Sequence, residues 1–105
     1  MTYKTISFTP KGEIADAIYK FCTDNSKFRN PQDLVRESLH WADIIPKKQW
    51  GGGDWSCWMP GDTIKTSFWQ ENAIAVTDFA KEQGMSRRDL LRESVMDFIR
   101  EYTTL

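Results

Sequence analysis

The chain has 105 residues, 40% of them hydrophobic and 13% aromatic, with a formal net charge of −1 at pH 7. That length leaves room for one compact domain or two very small units sharing a core, and the composition is that of a globular protein, with no polar tract long enough to suggest disorder. No apolar run reaches membrane-spanning length and residues 1–5 lack the apolar core of a signal peptide, so a cytoplasmic protein with no membrane contact is expected. Near-neutral charge argues mildly against nucleic-acid binding, which must then rest on how charge is distributed over the surface. Cys22 and Cys57 form no close-spaced motif and are read as free thiols; with His40 alone to add, a structural zinc site lacks its ligands.

In chain order, Ile6 and Phe8 alternate with Thr5, Ser7 and Thr9, the period-two pattern of a half-buried strand. Thr9-Pro10 predicts a helix cap with proline in the first turn, and Ile14, Ala17, Ile18, Phe21 and Cys22 fall on one helical face. Asn30-Pro31-Gln32-Asp33 places a capping side chain three residues before an acid and predicts a second helix with Leu34, Val35, Leu39 and Ala42 as its apolar face.

Residues 45–61 contain Pro46, Gly51-Gly52-Gly53 and Pro60-Gly61, which break both periodicities and mark a connector. Trp41, Trp50, Trp55 and Trp58 lie in or beside it, four of the five tryptophans, so it does not read as a floppy linker. Folding back to enlarge a small core is preferred over a partner-binding role.

Beyond the connector, Ile64, Thr66 and Phe68 alternate with Thr63, Lys65 and Ser67 as a second strand. A helix follows with Ala73, Val76, Phe79 and Ala80 on one face and Gly84 as its stop. Ser86-Arg87-Arg88-Asp89 then opens a last helix whose apolar face is Leu90, Leu91, Val95, Phe98, Ile99 and Tyr102. Ser38 and Ser94 sit where a small residue lets two helices cross closely.

Asp33-Leu34-Val35-Arg36-Glu37-Ser38-Leu39 recurs as Asp89-Leu90-Leu91-Arg92-Glu93-Ser94-Val95, and Lys4-Thr5-Ile6-Ser7-Phe8 is echoed by Lys65-Thr66-Ser67-Phe68. Both matches run in the same order, which predicts an internal duplication of residues 1–44 and 62–105. Neither half alone can pair its strand or cover its apolar helix faces.

Residues 84–95 resemble the turn and second helix of the ribbon-helix-helix family, which includes the Arc and methionine repressors. The shared pattern is glycine, any residue, serine, a basic-polar-acidic stretch, then an aliphatic pair followed by arginine, glutamate and a small residue. Phe68-Trp69 and Glu82-Gln83-Gly84 are also similar to Arc-type repressors, so the resemblance covers nearly all of 63–102. The first copy departs from it, with Phe28 in the place of the turn glycine and a longer connection over Thr23-Asp24-Asn25-Ser26-Lys27.

The resemblance implies a mainly α fold with a two-stranded antiparallel ribbon, in which two ribbon-helix-helix units form one pseudo-twofold domain. It further implies a monomeric pseudo-dimer in solution, with both units in one chain as in tandem plasmid-transfer proteins of the TraY type, and leaves further assembly on DNA open. A ribbon of this kind fits the major groove of double-stranded DNA. Alternation turns Tyr3, Thr5, Ser7, Thr63, Lys65 and Ser67 away from the core, and the family's base contacts map onto these six. The starts of the second helices favour phosphate, which assigns phosphate contacts to Ser86, Arg87 and Arg88 and, with Lys27 and Arg29 nearby, to Asn30.

Bland readings stand beside these. The threonines suit a solvent-facing strand, Ser86 and Asn30 suit ordinary capping, and the arginines suit solvated surface. Arg36-Glu37 and Arg92-Glu93 are read as surface and intramolecular pairs, and Asp33 and Asp89 as caps. No catalytic constellation and no cofactor motif is visible, and the glycine run lacks a following lysine-serine helix start, so no enzyme is expected. The function expected is sequence-specific DNA binding as a transcriptional repressor or autoregulator. The alternatives are an accessory DNA-binding protein in plasmid transfer or partition, and a scaffold for a protein partner, of antitoxin or inhibitor type, using the Trp50–Trp58 connector. Single-strand stacking on the tryptophans has less support, since only Lys47 and Lys48 interleave with them.

Overall fold

A computed structural model of the chain describes residues 3–25, 28, 31–49 and 58–104. Among these residues the two alternating segments find each other. Strands β1 (Tyr3–Phe8) and β2 (Ile64–Trp69) form a two-stranded antiparallel sheet with Thr5 opposite Ser67, Ile6 opposite Thr66 and Ser7 opposite Lys65. Ile6, Phe8, Ile64, Thr66 and Phe68 are buried, while Thr5 and Lys65 are exposed and Ser7 and Ser67 half-buried. The pleat therefore separates a core face from a polar one, as period-two patterning requires.

Four helices complete the described part of the fold: α1 (Gly12–Asp24), α2 (Pro31–Trp41), α3 (Gln70–Glu82) and α4 (Arg87–Thr104). The molecule is thus mainly helical with one small antiparallel sheet, and strand–helix–helix is its order on each side of the connector. α2 packs on β2 and α4 on β1, so each of these helices lies against the strand from the other half of the chain. α2 and α4 also pack on each other, and both carry a buried serine, Ser38 and Ser94. A single core joins all six elements, with Ile18, Leu34, Leu39, Phe68, Val76 and Leu91 among its fully buried members. Each such side chain contributes about 1.5–3 kcal/mol by leaving water. No helix among the described residues is long and apolar enough to cross a membrane.

The turn into α4 follows from its residues. Gly84 has a φ of +68°, and the backbone N–H of Met85 donates to the Ala80 carbonyl at 3.0 Å across the end of α3. A side chain at Gly84 would be strained in that left-handed conformation, which is why glycine ends this helix. Ser86 then caps α4, its Oγ accepting the Asp89 N–H at 3.1 Å.

Several sequence expectations are corrected. Thr9-Pro10 does not open α1, which begins at Gly12 with Lys11 before it and no side-chain cap. The Thr9 hydroxyl is instead engaged across the ribbon, 2.7 Å from the Thr63 hydroxyl. Ala15, and not Ala17, is the buried alanine of α1, and Ala42 is exposed because α2 ends at Trp41. Tyr102 is 41% exposed, its ring resting edge-on against Phe21 and Phe28. Arg36 is not a surface residue: it is 6% exposed, paired with Asp33 at 2.7 Å, and its Nε donates to the Ser67 carbonyl at 3.0 Å. Arg92 pairs with Asp89, at 3.3 Å, and not with Glu93.

The described ends of the connector are packed. Ile44, Ile45, Gln49 and Trp58 are buried, and the Trp58 Nε1 donates to the Asp62 carbonyl at 3.1 Å. Asn72, fully buried on α3, binds the Lys47 backbone through both ends of its amide and donates to the Gln49 Oε1 at 3.1 Å. Gln49 Oε1 also accepts the Trp69 N–H at 3.1 Å, so the chain after α2 is tied to the outer edge of β2. Trp50, Trp55, Gly51-Gly52-Gly53 and Cys57 lie outside the described residues.

Candidate nucleic-acid interface

The polar face of the ribbon is a short ladder of hydroxyls around one lysine. Thr5 Oγ1 and Ser67 Oγ stand 3.4 Å apart, Ser7 faces Lys65 in the register, and Thr9 meets Thr63 just past the strand ends. Of the six residues expected to face outward, Thr5, Ser7, Lys65 and Ser67 form the centre. Tyr3 and Thr63 lie at opposite ends, Tyr3 opposite Trp69 and 55% exposed. Thr9 and Trp69 belong to the same outward row. Continuing the alternation one step beyond Ser7 and Ser67 signals both.

Charge is distributed unevenly, which the net value of −1 conceals. Residues 3–11 and 63–70 contain Lys4, Lys11 and Lys65 but no aspartate or glutamate. All three lysines are exposed. The acidic side chains lie on the helices and between α2 and β2, Asp62 standing next to Thr63, so the two strands are locally cationic within a chain that is slightly acidic.

Because α4 packs on β1, its first turn comes up against the ribbon edge. A groove of about 260 Å³ is lined there by Thr5, Ile6, Ser7, Ser86, Arg87 and Arg88. A wider neighbouring groove of about 650 Å³ brings Arg88 and Arg92 together with Lys11, Thr9 and Thr63. Arg87 and Arg88 are exposed, and the first-turn N–H groups of α4 carry the positive end of the helix dipole. A tetrahedral oxyanion placed here would meet backbone donors, the Ser86 hydroxyl and guanidinium groups, which give charge-assisted hydrogen bonds. The Asp89 carboxylate, paired with Arg92, offsets part of that positive charge.

The edge of β2 is treated differently. Arg36 and Gln49 both bind the Ser67 carbonyl, at 3.0 and 3.4 Å, and Gln49 takes the Trp69 N–H. That edge is therefore closed by the protein itself, while the β1 edge runs along the two grooves. Asn30, expected as the phosphate contact on this side, lies outside the described residues, as do Lys27 and Arg29. Sequence reasoning brought Ser86, Arg87 and Arg88 to one helix start, and the structure sets them beside Thr5 and Ser7.

No family model, curated protein or solved structure matches this chain.

Proposed function

We propose that the chain is a sequence-specific double-stranded DNA-binding protein of the tandem ribbon-helix-helix type, acting as a repressor or autoregulator. The observation that carries this reading is the groove shared by Thr5 and Ser7 of the ribbon with Ser86, Arg87 and Arg88 of α4. A base-reading surface and a phosphate anchor must lie side by side in any protein that enters a groove of duplex DNA. The crossed packing supports a pseudo-twofold arrangement of two ribbon-helix-helix units, since α2 lies on β2 as α4 lies on β1, with Thr5 and Lys65 at mirrored positions about the Ile6–Thr66 pair.

In this reading the ribbon enters the major groove with its hydroxyl ladder toward the base edges. Lys65 donates to guanine O6 or N7, and Thr5, Ser7 and Ser67 serve as donors or acceptors. Ser86, Arg87 and Arg88 hold the flanking phosphate and fix the register of the ribbon. Repression then follows from occupancy of the site.

Enrichment of random duplex DNA by the purified protein tests the proposal. The expected result is one recovered motif with two half-sites of unequal information, because Thr5 and Lys65 differ at mirrored positions. Recovery of no motif across a range of salt would remove the DNA-reading role and leave the protein-binding scaffold as the better account.

A further inference from the structure

A third groove lies between α2, α3 and α4 and shares no lining residue with the two beside the ribbon. It encloses about 210 Å³ between Trp41 at the end of α2, Phe79 on α3, and Glu93 and Asp97 on α4. Ile44 and Leu90, both buried, contribute to its floor, and no lysine or arginine lines it. Its charge is thus opposite to that of the ribbon.

Trp41 is 46% exposed but firmly seated. Its ring meets Phe98 edge to face, with centroids 5.7 Å apart at 73°, and Phe98 in turn rests against Phe21 and Phe28. A large aromatic surface held rigid and left in water gives a visitor apolar contact at little entropic cost. Glu93 makes no ion pair among the described residues. Asp97 already holds a guanidinium, that of Arg100, at 3.1 Å, with both side chains well exposed. An exposed pair of this kind is worth little and yields readily to a better-placed cation.

We infer that this groove binds an arginine-bearing segment of a partner protein. The guanidinium lies against Trp41 and reaches the carboxylates of Glu93 and Asp97, while a neighbouring aliphatic side chain covers Phe79. Arginine fits better than lysine because its planar group stacks on an indole and presents a two-pronged donor to a carboxylate. Nucleic acid is excluded from the same surface by the two carboxylates, which repel phosphate. A second copy docked groove to groove is disfavoured, because Glu93 and Asp97 would then face their own counterparts with no lysine or arginine in the lining.

The test uses the whole chain and two short peptides, acetylated and amidated Leu-Arg-Ala-Arg-Leu and the same sequence with the neutral isostere citrulline for arginine. The Trp41 indole N–H, assigned through Trp41→Phe, is followed by NMR during titration. The arginine peptide is expected to shift it saturably, with the citrulline peptide about tenfold weaker and Glu93→Gln weakening the arginine peptide about threefold. Equal response to the two peptides, or no saturable shift at millimolar concentration, would overturn the inference. So would sedimentation showing self-association that Trp41→Ala abolishes, since a second copy would then be the occupant.

Discussion

The Arg36 Nε donates to the carbonyl of Ser67 at 3.0 Å and so pins α2 to the outer edge of β2. The same guanidinium holds Asp33 at 2.7 Å, and both side chains are largely shielded from water. Arg92 occupies the matching place in the second Asp-x-x-Arg-Glu-Ser segment, yet stays exposed beside Asp89. Gln49, in the chain after α2, closes over the same edge of β2 and helps to shield Arg36 there.

Arg36→Ala and Arg92→Ala are therefore expected to differ sharply in stability. Removing Arg36 takes one donor from the Asp33 carboxylate and one from the Ser67 carbonyl inside the protein, at a cost of roughly 3 kcal/mol. Removing Arg92 breaks an exposed pair and is expected to change stability by less than about 0.5 kcal/mol. Urea unfolding of the two variants checks this, and equal destabilisation would show that the buried arginine is not what secures the β2 edge.

Cys22 is buried in the core, and burial pushes its thiol up from 9.0 to about 12. The folded chain holds the proton that the unfolded chain gives up above pH 9, so this contribution to stability is whole below 9 and lost as pH rises toward 12. Alkylation is expected to be slow in the native protein and fast in denaturant, since the thiolate is the nucleophile. In Cys22→Ala the decline of stability between pH 9 and 12 is expected to be shallower than in the parent chain. An unchanged slope would place the cause in other groups.

Truncation to residues 62–105 is expected to give a fragment that folds only by pairing with itself. It retains β2, α3 and α4 but loses β1, and with it the strand partner and the cover for Phe68 and Leu91. Helicity measured by circular dichroism is expected to rise with protein concentration. The full chain, which pairs β1 with β2 internally, is expected to sediment as a monomer. A folded monomeric fragment would show that neither half needs the other.

Both strands and the positions of all four helices were legible in the sequence, because each element has one face in water and one in the core. The inward Ile6, Phe8, Ile64 and Phe68 could be assigned from alternation alone. Arg36 could not. Its local sequence is nearly that of Arg92, and its burial depends on Gln49 and Ser67, which are remote from it in the chain. The Thr9 hydroxyl was likewise open to a capping role until pairing brought Thr63 beside it. Ser86, Arg87 and Arg88 were visible as a helix start, but their position next to Thr5 and Ser7 depends on α4 packing against the strand from the opposite half. Local patterns carry no record of that exchange.

Lys65 and the pair Arg87–Arg88 have separable work in the proposed complex. Lys65 is the single charged residue of β2, exposed in the middle of the polar face opposite Ser7. Lys65→Ala is expected to cost about 1–3 kcal/mol on the preferred duplex and to relax selectivity at one base position. Arg87 and Arg88 stand at the helix start beside the ribbon, where contacts fall on phosphate whatever the base sequence. Replacing both with alanine is expected to weaken preferred and scrambled duplexes alike, and to lower the slope of log affinity against log salt by up to about two. Ser86 remains to cap α4 in that variant, so its fold is expected to be unaffected. Binding isotherms on both duplexes across a salt series separate the two effects. If Lys65→Ala leaves affinity and selectivity unchanged, the ribbon does not read DNA through this face. A loss of selectivity confined to Arg87→Ala/Arg88→Ala would instead move sequence reading from the strands to the start of α4.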